Sequence, residues 1–472
     1  MEIGKIFKNA SYLFIGNMGI RLISALTTIL LARFIGPEAF GIFAVAMSIS
    51  GIATYFADLG LTETFIREAN KINSNMSILL GSYFLVRTVL AVGSIMVTLI
   101  FVQLVYHGSS IPFIISCMVI PMVTGYTLQG TANAFFQSTE RMGVTASLNV
   151  MQGVLATSAM LTGIFLKWDL TLLSPVYGGS YLISGMIAFL IMLKCTSIKK
   201  GWNRGLLDQL PAFTVNGFIL SFLPQIGPIV LERVMSLRIV GFFSSAFKIP
   251  SVLYQVPAVI ATAFYPRLFL YGNNRDEMNH RKLSGIELKM MSFVGMAISM
   301  PFIIDPAFWI ITLLGDEWRE ASLALAITSY MVVLQSINYP LADYLTTKGH
   351  QYKRMMVMAC GLAVAIFAYI LLGKYYGLTG ASLAPVCVEL TLLFGFCLQI
   401  KNSLLFLFHC IKYNVLAFII CRLLVAFIPD HYLFFAMFLI TGLYVAIVFC
   451  FDKGLRHQLI ILIQSKILKK EI

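Results

Sequence analysis

The sequence predicts an all-α polytopic membrane protein with about 14 transmembrane helices. Three observations carry that prediction. Of 472 residues, 59% are hydrophobic and only 12% are charged, against about 25% charged in soluble chains. Apolar runs of spanning length, about 18 residues or more, recur along nearly the whole chain with short polar gaps between them. The alternating segments of about ten residues that mark a β-barrel do not occur. Secreted disulfide-stapled and nucleic-acid-binding proteins are excluded on the same grounds.

The spans fall roughly at 11–36, 38–60, 78–105, 111–138, 144–167, 170–193, 210–235, 239–266, 286–314, 321–347, 355–373, 376–400, 413–428 and 431–450. A net charge of +13 looks like a nucleic-acid footprint until the basic residues are sorted by loop. With the amino terminus inside, 24 of the 34 Lys and Arg residues fall on inside segments, densest at Lys194–Arg204, Arg267–Lys289 and Lys348–Arg354. Outside turns hold five (Arg33, Lys167, Arg238, Arg319, Lys374), and five more (Arg21, Arg87, Arg233, Lys248, Arg422) lie within spans. Under the positive-inside rule this asymmetry places both termini in the cytoplasm.

The first apolar run has full spanning length and no cleavage pattern ends it, so it is expected to stay attached. Ahead of it, Ile3, Ile6 and Phe7 lie opposite Lys5 and Lys8 in a segment suited to lying on the inner leaflet. The tail from Gly454 to Lys470 has the same character. The eight cysteines lie in apolar spans or on the inner side without metal-ligand spacing, and are expected to be free thiols. Outside turns are a few residues long and the longest inside loops reach about twenty, too short for a soluble domain. There is no phosphate-cradling Gly-rich loop and no Ser/His/Asp arrangement, and the six histidines are scattered. The chain is expected to be no enzyme and to hold no cofactor or metal.

A repeat is visible at an offset of 200. LARFIGPEAFGIFAVA from Leu31 aligns without gaps on LERVMSLRIVGFFSSA from Leu231, pairing Leu31 with Leu231, Arg33 with Arg233, Gly41 with Gly241, Phe43 with Phe243 and Ala46 with Ala246. A duplication on this offset gives two six-helix lobes, residues 1–200 and 201–402, and leaves 403–472 as two extra helices and a tail. Six spans per lobe is an even number, so the lobes are parallel repeats about an axis along the membrane normal.

The run RFIGPEAFGIFAVAMSISGIATYFADLGL, within Ser11–Glu68, resembles the opening of the O-antigen and polysaccharide flippases (Wzx-type) of the multidrug/oligosaccharidyl-lipid/polysaccharide exporter superfamily. The resemblance continues at FFQSTERMG, at VGFFSSAFKIPSVLYQVPAVIATAFYPRL, at LLGDEWREASLALAI and at LTTKGHQYKRM. It implies two six-helix lobes around a central, cationic cavity, in a multi-pass protein of the bacterial cytoplasmic (inner) membrane. The cargo it implies is an undecaprenyl-pyrophosphate-linked oligosaccharide, with membrane lipids and the polysaccharide polymerase and chain-length machinery as partners, and no nucleic acid. The two extra carboxy-terminal helices are similar to those of lipid II flippases, where such helices form a lipid-facing groove.

A charged side chain at mid-bilayer costs at least about 2.5 kcal/mol, so it faces a cavity or a partner. Arg21 and Lys248 lie too deep to snorkel, and Arg87 lies nearer the inner end of its span. Each is either a cation of the substrate route, matched to a pyrophosphate, or the partner of an intramembrane acid such as Asp58, Asp305 or Glu389. Those three acids are in turn either ion-coupling sites or partners of nearby bases. For Arg233 and Arg422, near a span end and on an extra helix, structure or snorkelling is favoured. Pro224, Pro228, Pro250, Pro257 and Pro266 kink the seventh and eighth spans, as a bending gate or as static shape. Two other functions compete with the flippase. A multidrug-type cation-coupled exporter usually places an acid in its amino-terminal lobe, where this chain presents Arg21. A membrane enzyme of polysaccharide assembly is disfavoured by the short outer loops.

The charge asymmetry makes a direct topological prediction. In a cysteine-free background, single cysteines at Lys200, Asn279 and Gln351 resist an impermeant thiol reagent applied outside, whereas cysteines at Gly108 or Asp430 react. Labelling at Lys200 in sealed cells would overturn the orientation.

Overall fold

The computed structural model describes residues 2–71, 75–107, 111–208 and 210–456. The inner-leaflet character expected of the first ten side chains, and of the tail beyond Arg456, lies outside what it describes. The described residues form helices joined by turns, in the order α1 (Glu2–Phe56), α2 (Leu61–Ala69), α3 (Met76–Val105), α4 (Ile111–Ser138), α5 (Met142–Phe165), α6 (Leu170–Cys195), α7 (Leu210–Phe222) and α8 (Ile226–Leu231). They continue as α9 (Leu237–Leu253), α10 (Gln255–Asn273), α11 (Glu277–Ile304), α12 (Pro306–Leu314), α13 (Ser322–Thr347), α14 (Gln351–Gln399), α15 (Ser403–Val425) and α16 (Leu433–Phe451). Helices alone suit a bilayer, where each backbone group must find its partner within the segment.

Among the described residues, eleven segments are long and apolar enough to cross a membrane. Two of them, Gly19–Ala69 and Gln351–Gln399, contain a glycine in the left-handed region, Gly36 (φ 78°) and Gly377 (φ 60°). Each glycine falls where the sequence separates two spans. A side chain there would be strained, and Pro37 immediately after Gly36 fits the first turn of the next helix. Taking each kinked segment as two passages, and adding the interrupted passage over 210–231, gives fourteen, in keeping with the predicted number. The interruptions sit at the proline cluster. The chain leaves helix between α7 and α8, around Pro224, and again at Tyr254 between α9 and α10, where Pro257 cannot donate to the carbonyl four residues back.

The chain forms two compact units, 1–244 and 245–472. In the first, Phe65, Tyr83, Phe136 and Leu206 are fully or almost fully buried in one apolar cluster. Leu206 belongs to the connection after α6, which is tied to α3: Lys199 N donates to Ser77 O at 3.1 Å, and Ser82 Oγ donates to Gly201 O at 3.1 Å while accepting from Asn203 N at 2.9 Å. This long, basic connection is therefore packed against the helices.

The first unit also holds a contact that bears on the repeat. A β-carbon on Gly41 would lie 2.0 Å from the carbonyl oxygen of Leu237, and one on Gly241 would lie 1.9 Å from that of Pro37. Only glycine permits this approach. Pro37 and Leu237 are themselves 200 residues apart, as are the glycines, so equivalent positions touch reciprocally, as at a two-fold axis.

In the second unit, α11 is the most enclosed helix among the eleven segments, and the two extra helices pack on it. Asn414 of α15 donates to Ser292 Oγ at 2.9 Å and Lys289 O at 3.0 Å, and Tyr444 of α16 donates to Phe293 O at 3.3 Å. At its start, α11 is capped by Asp276, whose carboxylate accepts from the side-chain and backbone amides of Asn279 and is held below its usual range by those bonds. All eight cysteines are free.

Candidate functional site

In the first unit, Asp58 sits in the turn after α1 and Arg87 in the lower part of α3. The Arg87 guanidinium is 5% exposed, lies 2.8 Å from the Asp58 carboxylate, and donates to Thr62 Oγ1 at 3.1 Å, to Tyr126 O at 3.3 Å and to the Tyr83 hydroxyl. Thr62 Oγ1 donates to Asp58 at 2.7 Å and lies 2.9 Å from the Tyr83 hydroxyl. The network joins α1, α2, α3 and α4 at one point. Of the two readings open for Arg87, the geometry gives the helix-joining pair, and Asp58 is its partner.

Arg21 and Lys248 are placed differently. Arg21 is exposed on α1, its charge reaching the hydroxyl of Tyr126, and no carboxylate among the described residues pairs with it. Lys248 is half-buried in α9, and its ammonium meets no hydrogen-bond or ion-pair partner among the described residues. The acids offered as their partners are engaged elsewhere. Asp58 holds Arg87. Asp305 lies at the break between α11 and α12 and accepts from Phe308 N at 3.0 Å, which makes it the N-cap of α12. Glu389 of α14 is 7% exposed and accepts from Gln335 Nε2 at 2.8 Å and Asn338 Nδ2 at 2.7 Å. Arg233 pairs with Glu232 at 2.8 Å and lies over the Tyr106 ring, and Arg422 donates to Tyr330 at 3.2 Å, so both are held in the helical framework.

The second unit also brings together two acids that sequence reasoning passed over. Glu287 of α11 and Asp343 of α13 are 0% and 2% exposed and lie near enough for each carboxyl group to bear on the other, with the Arg354 charge reaching Asp343. Glu287 stands one residue inside the predicted ninth span and reads as part of the loop. Asp343 does lie within the tenth span, at LADYLTT, and that was the available signal.

A cavity of about 700 Å³ in the first unit is lined by apolar residues of α1, α3 and α8, among them Ile52, Phe56, Val89, Val97 and Phe101. It presents no charge to a phosphate.

Residues 6–271 match the family model described as polysaccharide biosynthesis protein. The chain belongs to the polysaccharide biosynthesis protein family. Arg21, Asp58, Arg87 and Lys248 fall inside the matched stretch of this family member, and Asp305 and Glu389 beyond it. The family member is 25% identical over 418 residues to the putative O-antigen transporter of Escherichia coli (strain K12), covering 82% of this chain and 96% of that protein. A putative O-antigen transporter of Shigella flexneri is 24% identical over 288 residues, 56% of this chain and 66% of that one. Among solved structures, the lipid II flippase MurJ in an inward closed conformation superposes with a TM-score of 0.75 at 14% identity, over 94% of this chain and 99% of that one. An inward-facing MATE family multidrug resistance transporter of the MOP superfamily gives 0.69 at 13% identity, over 83% and 98%. The fold is thus the one these transporters share.

The Asp58–Arg87 pair makes its own prediction. Arg87→Ala leaves a carboxylate unpaired, and costs roughly 3 kcal/mol, the low end for breaking a buried pair, because Asp58 keeps 22% exposure. Adding Asp58→Ala recovers part of that loss. Thermal unfolding in detergent checks the order; a double variant less stable than Arg87→Ala alone would show that the pair is not what the network rests on.

Proposed function

We propose that this chain is a flippase, and not an enzyme, that carries an undecaprenyl-pyrophosphate-linked oligosaccharide, an O-antigen or other polysaccharide repeat unit, across the bacterial cytoplasmic membrane by alternating access. Both termini are cytoplasmic in this reading, and the delivered lipid passes to the polysaccharide polymerase and chain-length machinery. One observation carries it: Arg21 and Lys248, one in each compact unit, are span cations that no acid among the described residues neutralises. A pyrophosphate crossing a low-dielectric path needs fixed cations along it. The names of the relatives support the same cargo class. The lobes of this proposal follow the 200-residue repeat, residues 1–200 and 201–402, with α15 and α16 outside them.

A cation-extruding exporter of the same fold is the second reading. It is disfavoured because Asp58, the intramembrane acid of the amino-terminal spans, is neutralised by Arg87. Among the candidate coupling acids, Asp58 is paired and Asp305 caps a helix, which leaves Glu389. Enclosed and bonded by two neutral amides with no base paired to it among the described residues, it is suited to take up a proton or sodium ion.

Three outcomes are expected. In a flippase-null strain, Arg21→Ala and Lys248→Ala abolish export of the lipid-linked glycan at normal protein levels, and Lys167→Ala and Lys374→Ala leave it intact. Arg21→Lys restores only part, since guanidinium grips phosphate oxygens in a bidentate fork and ammonium does not. Full complementation by both alanine variants would remove the cationic route. Glu389→Gln, a near-isosteric change, keeps the protein folded but makes transport into vesicles indifferent to an imposed proton or sodium gradient; retained gradient dependence excludes it as the coupling site. Finally, a pair of cysteines introduced near Gly36 and Ser236, beside the Gly41–Gly241 contact, halts export on oxidation and recovers on reduction, each single variant staying active. Full export by quantitatively crosslinked protein would show that this contact does not open.

A further inference from the structure

Independently of the cargo route, the carboxy-terminal unit holds a basic recess. A cavity of about 280 Å³ lies between the first turns of α11 and of α15. That is just below the roughly 300–1,000 Å³ of pockets that enclose a drug-sized ligand. Arg281, Lys282 and Lys289 line it from α11, and His409 and Cys410 from α15. No carboxylate is among its lining residues.

The cations are not equivalent. Lys289 is neutralised by Asp452 at 2.8 Å. Arg281 is anchored: it donates to the carbonyls of Lys401 and Asn402, both at 3.2 Å, and lies 5.0 Å over the Phe406 ring. Two of its five N–H groups are thereby used, and three remain for an anion. Lys282 is exposed, with no partner among the described residues. Two positive charges thus face the cavity without a counter-ion among the described residues. Its floor is set by Gly285, where a β-carbon would lie 3.1 Å from Cys410 Sγ and 3.3 Å from Phe406 Cε2, so a larger residue would fill the space. Beside it, α15 turns Leu404, Leu405 and Phe408 outward at 75%, 65% and 64% exposure. A cationic recess next to exposed apolar side chains, at the end of membrane-crossing helices, has the shape of an amphiphile's footprint.

We propose that this recess binds the phosphodiester headgroup of an anionic glycerophospholipid of the surrounding leaflet, with Arg281 and Lys282 on the phosphate and the acyl chains along Leu405 and Phe408. Basic pockets between membrane helices recognise lipid headgroups in this way. The recess is too small for a lipid-linked oligosaccharide head, which sets it apart from the transport route.

Cys410 supplies a reporter inside the recess. With the other seven cysteines changed to serine, its alkylation by N-ethylmaleimide is followed in nanodiscs of phosphatidylcholine, with phosphatidylglycerol of the same chains, inorganic phosphate or undecaprenyl phosphate added in turn. Phosphatidylglycerol is expected to slow alkylation roughly tenfold, and Arg281→Gln with Lys282→Gln to abolish the protection, as two cations at an anionic surface are lost. A matched protein retaining only Cys450 is expected to show no phosphatidylglycerol effect. Equal rates in the two phospholipids overturn the proposal, and this comparison needs no charge variant. Protection by inorganic phosphate alone would show a free-anion site, and protection by undecaprenyl phosphate alone a cargo-lipid site; either result overturns the assignment to glycerophospholipid. Undiminished protection in the double variant overturns the assignment to these residues.

Discussion

Hydrocarbon does not hydrate charge, and this constraint sorts nearly every polar residue in the structure. A buried guanidinium must find acceptors in the protein, and Arg87 finds them in Asp58 of the turn after α1, Thr62 of α2, Tyr83 one turn back on its own helix and the Tyr126 carbonyl of α4. The cost of burying the charge is offset only if all of them are in place, so the network fixes where α1, α2, α3 and α4 meet. The same rule gives Arg233 its glutamate and ring, Arg422 its tyrosine and Lys289 its aspartate. Against that background a span cation without such a shell stands out. Arg21 and Lys248 are such cations: no acid among the described residues pairs with either, although acids occur in both units.

The fold was legible in the sequence because its signals are local. An apolar run of spanning length depends on nothing distant, and Gly36 and Gly377 fall in the gaps that hydropathy marks. The proline cluster likewise forecast where the seventh and eighth spans leave helix, at Pro224 and ahead of Pro257. The candidate site was legible only to the level of residue type. That Arg87 had either a cavity or an acid as neighbour was readable; that the acid is Asp58, across a turn and two helices, depends on packing. Glu287 and Asp343 were lost altogether, because one stands at a span edge and neither carries a motif, and only the crossing of α11 with α13 brings them near each other. Asp305 was readable as an ion-coupling site or as the partner of a base; its carboxylate caps α12 after the backbone break, a contact that depends on that break.

The repeat gains physical content from the Gly41–Gly241 contact. Five identities in sixteen positions are weak evidence in a chain rich in Leu, Ala and Gly. A reciprocal contact is a different kind of observation, since each glycine accepts the backbone carbonyl four residues ahead of the other, Leu237 for Gly41 and Pro37 for Gly241. Any β-carbon at either position would force the helices apart. Residues related by an internal two-fold touch their own equivalents only at the axis, so the pair marks where such an axis would pass. Parallel repeats put that axis along the membrane normal.

That location bears on how such a protein can move. A contact between glycine backbones is close and places no side chain of the two glycines between the helices. It contrasts with the Asp58–Arg87 network, whose rupture would strand a charge in hydrocarbon. Motion in a helical membrane protein follows the boundaries that can part without exposing unsatisfied groups. The glycine contact is such a boundary, and the charged network is not. The helices tied by Arg87 are therefore expected to travel as a body, with the Gly41–Gly241 contact as the place where opening costs least.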